Sequence, residues 1–226
     1  MSSPDHIYFD LDGTLTNPYE GITKCILYAL DKLGFPHPSD DFLYSCIGPP
    51  LYDTFPQLVG EELTLQAVDF YRERFNDVGW QENLLYDGIL EALEAVRLEG
   101  RRLFVATSKP HEQAKRIVNH FRMAPYFAAV YGCELDGTRS NKAELLEYAI
   151  SHNPGAVKRS MVGDRKHDLI GAIANGMRPI GVSYGYGSVE ELAAAGAVEI
   201  AAAPDAIPAI IGAACRCDQE LSSRAT

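Results

Sequence analysis

The residues with the clearest capacity for chemistry follow a short apolar run near the N-terminus. Residues 7–9, Ile-Tyr-Phe, predict a strand that is buried on both faces. Asp10 and Asp12 come directly after it, and two carboxylates at the exit of a buried strand are costly unless a cation compensates them. Gly13 then permits a sharp turn and the close approach of a ligand. A divalent cation here would also bring a phosphate to this place; the alternative is a plain turn, for which Asp-Gly is equally typical.

Two hydroxyl residues stand in a comparable position after a later apolar segment. Thr107 and Ser108 precede Pro110, a residue that suits the first turn of a helix. Free N–H groups and a hydroxyl at a helix N-terminus can bind a phosphate, and the alternative is that Ser108 merely caps the helix.

A lysine is found where a cation is disfavoured. Asn141 is a typical N-cap, and Glu144 completes a pair resembling a capping box. Lys142 therefore occupies the first helical position, where the helix dipole opposes positive charge. This placement indicates an anionic partner, although a solvated surface lysine would give the same pattern.

The last chemical group is the segment GDRKHD at residues 163–168. It places Asp164 and Asp168 four residues apart, so that both lie on one side of a helix that starts near Arg165 and is capped by Asp164. A capping Asp and a surface Asp would be the simpler explanation. Together with Asp10 and Asp12, however, a cation site is the better account, and hard oxygen ligands favour Mg²⁺ over zinc.

The elements that position these groups form an alternating pattern from residue 87 onward. Helices are predicted over residues 89–98, 112–121, 142–151, 167–175 and 189–195, and strands over 103–106, 128–131, 160–162, 179–182 and, weakly, 198–200. This alternation predicts an α/β fold with a doubly wound parallel sheet covered on both faces. Since ligands of such folds bind at the carboxyl ends of the strands, the polar groups above are expected to converge.

The first strand is separated from this pattern by about sixty residues of helical periodicity. Helices are predicted over residues 22–33, 40–47 and 61–75, with no strand-like alternation between Tyr19 and Gly79. We therefore expect a core domain formed by residues 1–17 and 84–214 and a helical lid over residues 18–83. Residues 215–226 are predicted to be a disordered tail.

Composition narrows the classes of partner and compartment. The net charge of −11, from 20 basic and 31 acidic residues, argues against nucleic acid and against an anionic membrane surface. Five scattered cysteines indicate reduced thiols in the cytoplasm rather than a disulfide framework, and Cys215 and Cys217 lack a second pair of zinc ligands. No apolar run reaches the ~20 residues of a membrane span, and no signal pattern opens the chain.

The four motifs together resemble those of the haloacid dehalogenase superfamily, on its phosphatase side. DLDGT at residues 10–14 matches the first motif, Thr107 the second, Lys142 the third and GDRKHD the fourth. The likeness covers essentially the whole chain, and the helical insertion resembles the type-one cap of this family. TSKP at residues 107–110 and VSYGYGS at residues 182–188 point to the phosphoglycolate phosphatase-like group.

The resemblance implies a role for each carboxylate. Asp10 would be the nucleophile that forms an aspartyl-phosphate, and Asp12 the general acid and then base, which requires a raised pKa. Mg²⁺ would be held by Asp10, the backbone carbonyl of Asp12, and Asp164, with Asp168 in support. A carboxylate at position 12 also favours phosphate chemistry over dehalogenation, which has no leaving alcohol to protonate.

The resemblance further implies how a small phosphorylated metabolite would be bound. Thr107, Ser108 and Lys142 would hold the phosphoryl group, and Gly48 and Pro49 would lie on a cap loop that selects the substrate. Relatives often carry an acidic residue where Thr16 and Asn17 stand here, so the hinge departs from the pattern.

Two other functions fit the same sequence. A phosphomutase of this architecture would retain the phosphoenzyme for transfer to a sugar hydroxyl, and a non-catalytic sensor would bind a phosphorylated ligand. The oligomeric state and the identity of the substrate stay open at this point, as do the roles of Lys24, Lys109 and Arg165, which are candidates for facing the cleft.

Overall fold

The computed structural model describes residues 4–213. The predicted tail at 215–226, with Cys215 and Cys217, lies outside the described residues. Six strands form one parallel sheet in the order β5-β4-β1-β6-β7-β8. They are β1 (His6–Phe9), β4 (Arg102–Pro110), β5 (Phe127–Cys133), β6 (Arg159–Gly163), β7 (Arg178–Val182) and β8 (Glu199–Ala201), and a separate antiparallel pair joins β2 (Thr16–Asn17) to β3 (Leu84–Leu85).

The helices named below fall into two groups, one in the alternating part of the chain and one between β2 and β3. The helices of the alternating part are α5 (Ile89–Leu98), α6 (His111–His120), α7 (Lys142–Ser151), α8 (Lys166–Ala174) and α9 (Val189–Ala194). The earlier ones are α1 (Tyr19–Leu33), α2 (Asp40–Ser45), α3 (Leu51–Val59) and α4 (Thr64–Arg74), and a π-helical turn, Phe75–Gly79, continues α4. The predicted doubly wound α/β fold is thereby confirmed.

Helix α3 was not predicted from the sequence. Pro56 stands inside it, and a proline in a helix interior removes one hydrogen-bond donor and interrupts the helical signal. The helix forms nonetheless because its apolar side packs: Phe55 is fully buried and its ring meets that of Tyr71 edge-on at 6.2 Å. Tertiary packing therefore outweighs the local penalty.

The two faces of the sheet are covered by different apolar layers. Tyr8 and Phe104 stack at 4.8 Å and belong to the layer beneath α7 and α8. Ile7 and Phe9 point to the opposite face and belong to a larger cluster that continues into α1, α3 and α4. The helical segment at 18–83 thus shares a continuous core with the sheet.

Candidate active site

Strand pairing brings three of the predicted motifs together. Phe9 is in register with Val105 on one side and with Val162 on the other. The residues that follow these positions, Asp10, Thr107 and Asp164, therefore leave neighbouring strands at the same edge of the sheet. All three are buried.

An acidic cluster forms at this edge. Asp10, Asp164 and Asp168 each offer a carboxylate oxygen, and these oxygens all lie within 4.8 Å of one another. Asp10, Asp164 and Asp168 are all buried. Burying three carboxylates together is unfavourable unless positive charge compensates them.

Lys142 supplies part of that positive charge. Its Nζ lies 3.0 Å from Oδ1 of Asp10 and 2.7 Å from Oδ1 of Asp168, and it donates to the carbonyl of Ala106 at 2.9 Å. Burial by itself would lower the pKa of Lys142, but the two carboxylates raise it above its usual value. The predicted N-cap is confirmed, since the Asn141 side chain accepts from Ala143 N–H at 2.9 Å.

Asp164 is fixed by neighbours on two sides. Its Oδ1 accepts from the Thr14 hydroxyl at 3.2 Å and its Oδ2 from the Tyr186 N–H at 2.9 Å. Gly13, with φ of +83°, packs so closely that a Cβ there would lie 2.1 Å from Oδ2 of Asp164. Burial, and then the nearby carboxylates of Asp168 and Asp10, raise the pKa of Asp164 well above its usual value.

The predicted capping role of Asp164 is wrong. Helix α8 begins at Lys166, and Arg165 is the residue that precedes it. Asp168 lies in the first turn, where its Oδ2 accepts from the Arg165 N–H at 3.1 Å. Burial raises the pKa of Asp168 to about 6, with the ammonium of Lys142 opposing the shift. Since its two oxygens contact Lys142 and Arg165, Asp168 is placed to orient the lysine.

Asp12 has a different partner from Asp10. Its Oδ2 lies 2.8 Å from Nζ of Lys109, which also lies 4.7 Å from the ring centre of Phe75 in the helical segment. Burial raises the pKa of Asp12, Lys109 opposes the shift, and Asp10 adds to it. The direction is the one that a general acid needs, but burial contributes more than the neighbour Asp10.

Thr107 and Ser108 precede α6 and differ in burial: Thr107 is buried and Ser108 is partly exposed. Strand β4 continues to Pro110 and the helix begins at His111, so Ser108 does not cap it. Its hydroxyl donates instead to the carbonyl of Ser140 at 3.1 Å. Thr107 is almost fully buried and its Oγ1 accepts from the Lys109 N–H at 3.3 Å. Both residues line the cavity beside Asp10 and Asp12.

A cavity of about 70 Å³ lies between the sheet edge and the helical segment. Gly48, Pro49 and Pro50 line it together with Asp10 and Asp12. A second cavity, of about 360 Å³, adjoins the other side of this loop, and Gly48, Pro50 and Ser108 border both. It also reaches Lys142, His167 and Asp53.

Arg165 connects the cap loop to the sheet edge. Its guanidinium donates to the carbonyl of Ile47 at 2.6 Å and to Glu191 at 3.0 Å. A Cβ at Gly48, where φ is +103°, would lie 3.0 Å from Cγ of Arg165. Lys24, by contrast, is about half exposed and pairs with Glu20 and Glu82 rather than facing the cleft.

Several residues of this site escaped the sequence interpretation. Thr14 and Tyr186 hold Asp164, although the sequence patterns that contain them, DLDGT and VSYGYGS, gave neither residue this role. Lys109 was predicted as a strand-end residue and a candidate for facing the cleft, but not as the partner of Asp12. Its pairing depends on the close approach of two strand ends.

The residues present fit a divalent cation. Carboxylate oxygens are the ligands that Mg²⁺ prefers, and Asp10, Asp164 and Asp168 each offer one within 4.8 Å of the others. Close to them, Oδ1 of Asp12 is buried without a hydrogen-bond partner among residues 4–213. The raised pKa of Asp164 arises from burial and from neighbouring carboxylates, a repulsion that a cation among the three would relieve.

A parallel sheet whose strand ends carry an acidic cluster and a buried lysine, beneath a helical segment, defines the architecture of the haloacid dehalogenase-like hydrolases. The family model described as haloacid dehalogenase-like hydrolase matches residues 7–182. The chain belongs to this family, and the predicted resemblance is confirmed.

Within residues 4–213, no helix combines the length and apolar character needed to cross a bilayer.

Relatives carry names from phosphate chemistry. A 5'-nucleotidase of Pseudomonas aeruginosa is 48% identical over 84% of this chain and 87% of its own length. Tyrosine-protein kinase PtkA of Mycobacterium tuberculosis is 38% identical over 83% of this chain, which spans 65% of that longer protein. A phosphoglycolate phosphatase of Haemophilus influenzae is 31% identical over 80% of this chain and 86% of its own length.

A solved structure has the same architecture. The crystal structure of a protein from Clostridium acetobutylicum, described as a predicted phosphatase, superposes with a TM-score of 0.87. It is 41% identical and covers 93% of this chain and 99% of its own. The predicted enzyme class, a phosphatase-type hydrolase of this family, is confirmed by these likenesses.

Proposed function

We propose that the protein is a magnesium-dependent phosphatase that hydrolyses a small phosphomonoester through an aspartyl-phosphate on Asp10. The observation that carries this proposal is the set of charged groups around the buried carboxylate of Asp10. Asp10 has the ammonium of Lys142 at 3.0 Å and two further carboxylates within 4.8 Å.

The chain's own residues account for the two half-reactions. Asp10 attacks phosphorus, and Asp12 donates its proton to the departing alcohol oxygen. Asp12 then accepts a proton from the water that attacks the aspartyl-phosphate, which releases inorganic phosphate and restores Asp10. The Thr107 hydroxyl and the Lys142 ammonium bind phosphoryl oxygens, so charge is neutralised where it develops.

Asp10, Asp164 and the backbone carbonyl of Asp12 would hold the magnesium ion, with Asp168 in support through Lys142. The ion, when bound, supplies positive charge for the phosphoryl oxygens. Ser108, which lines the same cavity, completes the proposed phosphate site.

The size of the cavities bears on the substrate. Ligand pockets usually measure about 300–1,000 Å³. The cavity of about 70 Å³ beside Asp10 is far smaller, whereas the adjoining one of about 360 Å³ is within this range. The phosphoryl group therefore belongs beside Asp10, with the rest of a small metabolite passing the loop at Gly48 and Pro49.

Nucleoside monophosphates are the first substrates to test, because the 48% identical relative is named a 5'-nucleotidase. Phosphoglycolate is the second, after the 31% identical relative. Both are small phosphomonoesters of the predicted class.

We also propose that residues 18–83 act as a cap on a core of residues 1–17 and 84–214. The chain enters and leaves the helical segment through the paired strands β2 and β3, where Asn17 is in register with Leu84. Opening at this pair would admit substrate, and closure would exclude water from the aspartyl-phosphate.

Release of inorganic phosphate tests the function. A panel of nucleoside monophosphates, phosphoglycolate and sugar phosphates is assayed with Mg²⁺ and with a chelator. We expect release only with Mg²⁺, and loss to background in Asp10→Asn, while Asp69→Asn, a substitution on the exposed side of α4, stays active.

Three outcomes would contradict the proposal. Full activity of Asp10→Asn would show that Asp10 is not the nucleophile. Transfer of the phosphoryl group to a second sugar hydroxyl, with little free phosphate, would indicate a phosphomutase. Binding of phosphorylated ligands without turnover of any panel member would indicate a sensor.

A further inference from the structure

A third pocket is separate from the cavity beside Asp10 and from the one that reaches Lys142. We call it the tyrosine pocket. It measures about 370 Å³ and is lined by Asn17, Tyr19, Asp40, Asp41, Tyr44, Tyr86, Tyr184, Gly185 and Tyr186. It shares no lining residue with the cavity that contains Asp10 and Asp12, and the mechanism above gives it no task.

The rings of this pocket are held in place by their hydroxyl groups. Tyr184 donates to the carbonyl of Thr14 at 2.8 Å, Tyr186 to Oδ1 of Asn17 at 2.6 Å, and Tyr44 to the carbonyl of Gly185 at 3.2 Å. Because these three hydroxyls are engaged with the protein, Tyr44, Tyr184 and Tyr186 offer the pocket their ring faces rather than their polar ends.

The rings pack against one another in pairs. Tyr44 and Tyr186 lie 4.8 Å apart at 59°, and Tyr86 and Tyr184 lie 5.0 Å apart at 70°. Tyr19 and Tyr44 are inclined at 47°. Since the members of each pair are in contact, a ligand would lie against the ring faces that are turned toward the pocket and not between two paired rings.

The charge of the pocket has one sign. Asp40 and Asp41 are its ionisable residues besides the tyrosines, and no Lys, Arg or His is among the lining residues. The nearby cation Arg165 is engaged with the carbonyl of Ile47 and with Glu191. Electron-rich ring faces and two carboxylates both favour a cation and disfavour an anion.

We propose that the tyrosine pocket binds a small organic ammonium cation. The five rings would contact its alkyl groups and its charge, while Asp40 and Asp41 would add long-range attraction at the rim. Recognition of a quaternary ammonium by a box of aromatic rings is the known use of this chemistry.

Calorimetric titration of the full chain with choline tests the proposal, with 3,3-dimethylbutan-1-ol as the neutral isostere. We expect saturable binding of choline, competition by tetramethylammonium, and binding of the isostere weaker by about tenfold or more. Equal affinity for the neutral isostere, or no saturable binding of choline, would overturn the proposal.

Variants locate the binding and separate charge from shape. Tyr44 is 44% exposed, so its replacement leaves the core intact. We expect Tyr44→Leu to weaken choline binding by about tenfold and Tyr44→Phe, which keeps the ring face, to retain it.

The double variant Asp40→Asn/Asp41→Asn should weaken binding, whereas Asp69→Asn, on the exposed side of α4, should not. Circular dichroism and the melting temperature verify folding of each variant. Undiminished binding in both Tyr44→Leu and the double Asp variant would place the cation elsewhere and refute the proposal.

Discussion

Asp10 and Asp12 are separated by one residue, yet their surroundings differ, as the different roles proposed for them require. Asp10 faces Lys142 and the other carboxylates, while Asp12 faces Lys109. A pair of carboxylates in contrasting environments is the arrangement by which one group stays ionised while the other donates a proton. The raised pKa of Asp12, caused by burial and opposed by Lys109, fits that division.

The acid role proposed for Asp12 predicts a dependence on the leaving group. In Asp12→Asn, kcat/KM for an alkyl phosphate should fall by about 10²–10⁴, the usual contribution of general acid catalysis. An aryl phosphate with a nitrophenolate leaving group needs little protonation, so its loss should be much smaller. Equal losses for both esters, measured as phosphate release, would argue against proton donation by Asp12.

Lys109 predicts a shift in the pH profile. Its ammonium lowers the pKa of Asp12 against the effect of burial, so Lys109→Met should raise that pKa further. The cleavage step needs Asp12 protonated; its loss of activity with rising pH should therefore move to higher pH. The measurement is kcat/KM against pH with saturating Mg²⁺, and Lys115→Met, at an exposed lysine of α6, is the control. An unchanged profile in Lys109→Met would contradict the assignment.

At the scale of elements, the site depends on which strands are neighbours. β1 lies between β4 and β6, so Thr107 and Asp164 reach the strand edge at Asp10 although they are about 100 and about 150 residues further along the chain. Helix α7 then places Lys142 against the carbonyl of Ala106 within β4, one residue before Thr107. Each helix thereby fixes a charged group relative to a strand end.

Arg165 predicts how the cap loop contributes to substrate binding. Arg165→Met would lose the hydrogen bond to the Ile47 carbonyl and the pair with Glu191. A hydrogen bond from a charged donor contributes about 1.5–3 kcal/mol, so we expect KM to rise by roughly tenfold or more with a smaller change in kcat.

Two further variants make this test specific. Arg165→Lys should behave more like Arg165→Met than like the native enzyme, since an ammonium cannot reach both partners as a guanidinium does. Arg97→Met, which breaks an exposed pair with Glu94 on α5, should leave KM unchanged. A fall in kcat alone would mean that the loop does not act through binding.

At the scale of the whole molecule, one apolar cluster joins the sheet to the helical segment. It includes Phe9 and Val105 in the sheet and Phe55 and Val68 in α3 and α4. A cap with its own separate core could unfold alone, whereas a shared core couples the two parts.

This continuity predicts a single unfolding transition. Phe55→Ala should lower the free energy of unfolding by about 3–5 kcal/mol, and fluorescence and circular dichroism should report the same midpoint in urea. Leu65→Ala, at a side chain that is 68% exposed on the same segment, should change it by less than about 0.5 kcal/mol. Two separate transitions in the native chain would show that the helical segment folds independently.

The sequence by itself determined the elements and the identity of the central acids. Apolar periodicity specified the alternating strands and helices, and Asp10, Asp12, Lys142, Asp164 and Asp168 stood out because charge at the end of a buried strand or at a helix start is costly. Helix α3 escaped because Pro56 masks its pattern, and the capping roles of Ser108 and Asp164 were wrong because the helices begin one or more residues later.

The tertiary structure alone decided the pairings. Lys109 meets Asp12, Tyr186 meets Asp164, and the tyrosine pocket closes from segments far apart in the chain. The local sequence pattern indicates which charged side chains are costly to bury, because that free-energy cost depends on residue type and on neighbours in the sequence. The pattern does not indicate which distant side chain offsets the cost, since that depends on distances that are fixed only when the strands pair and the helices pack.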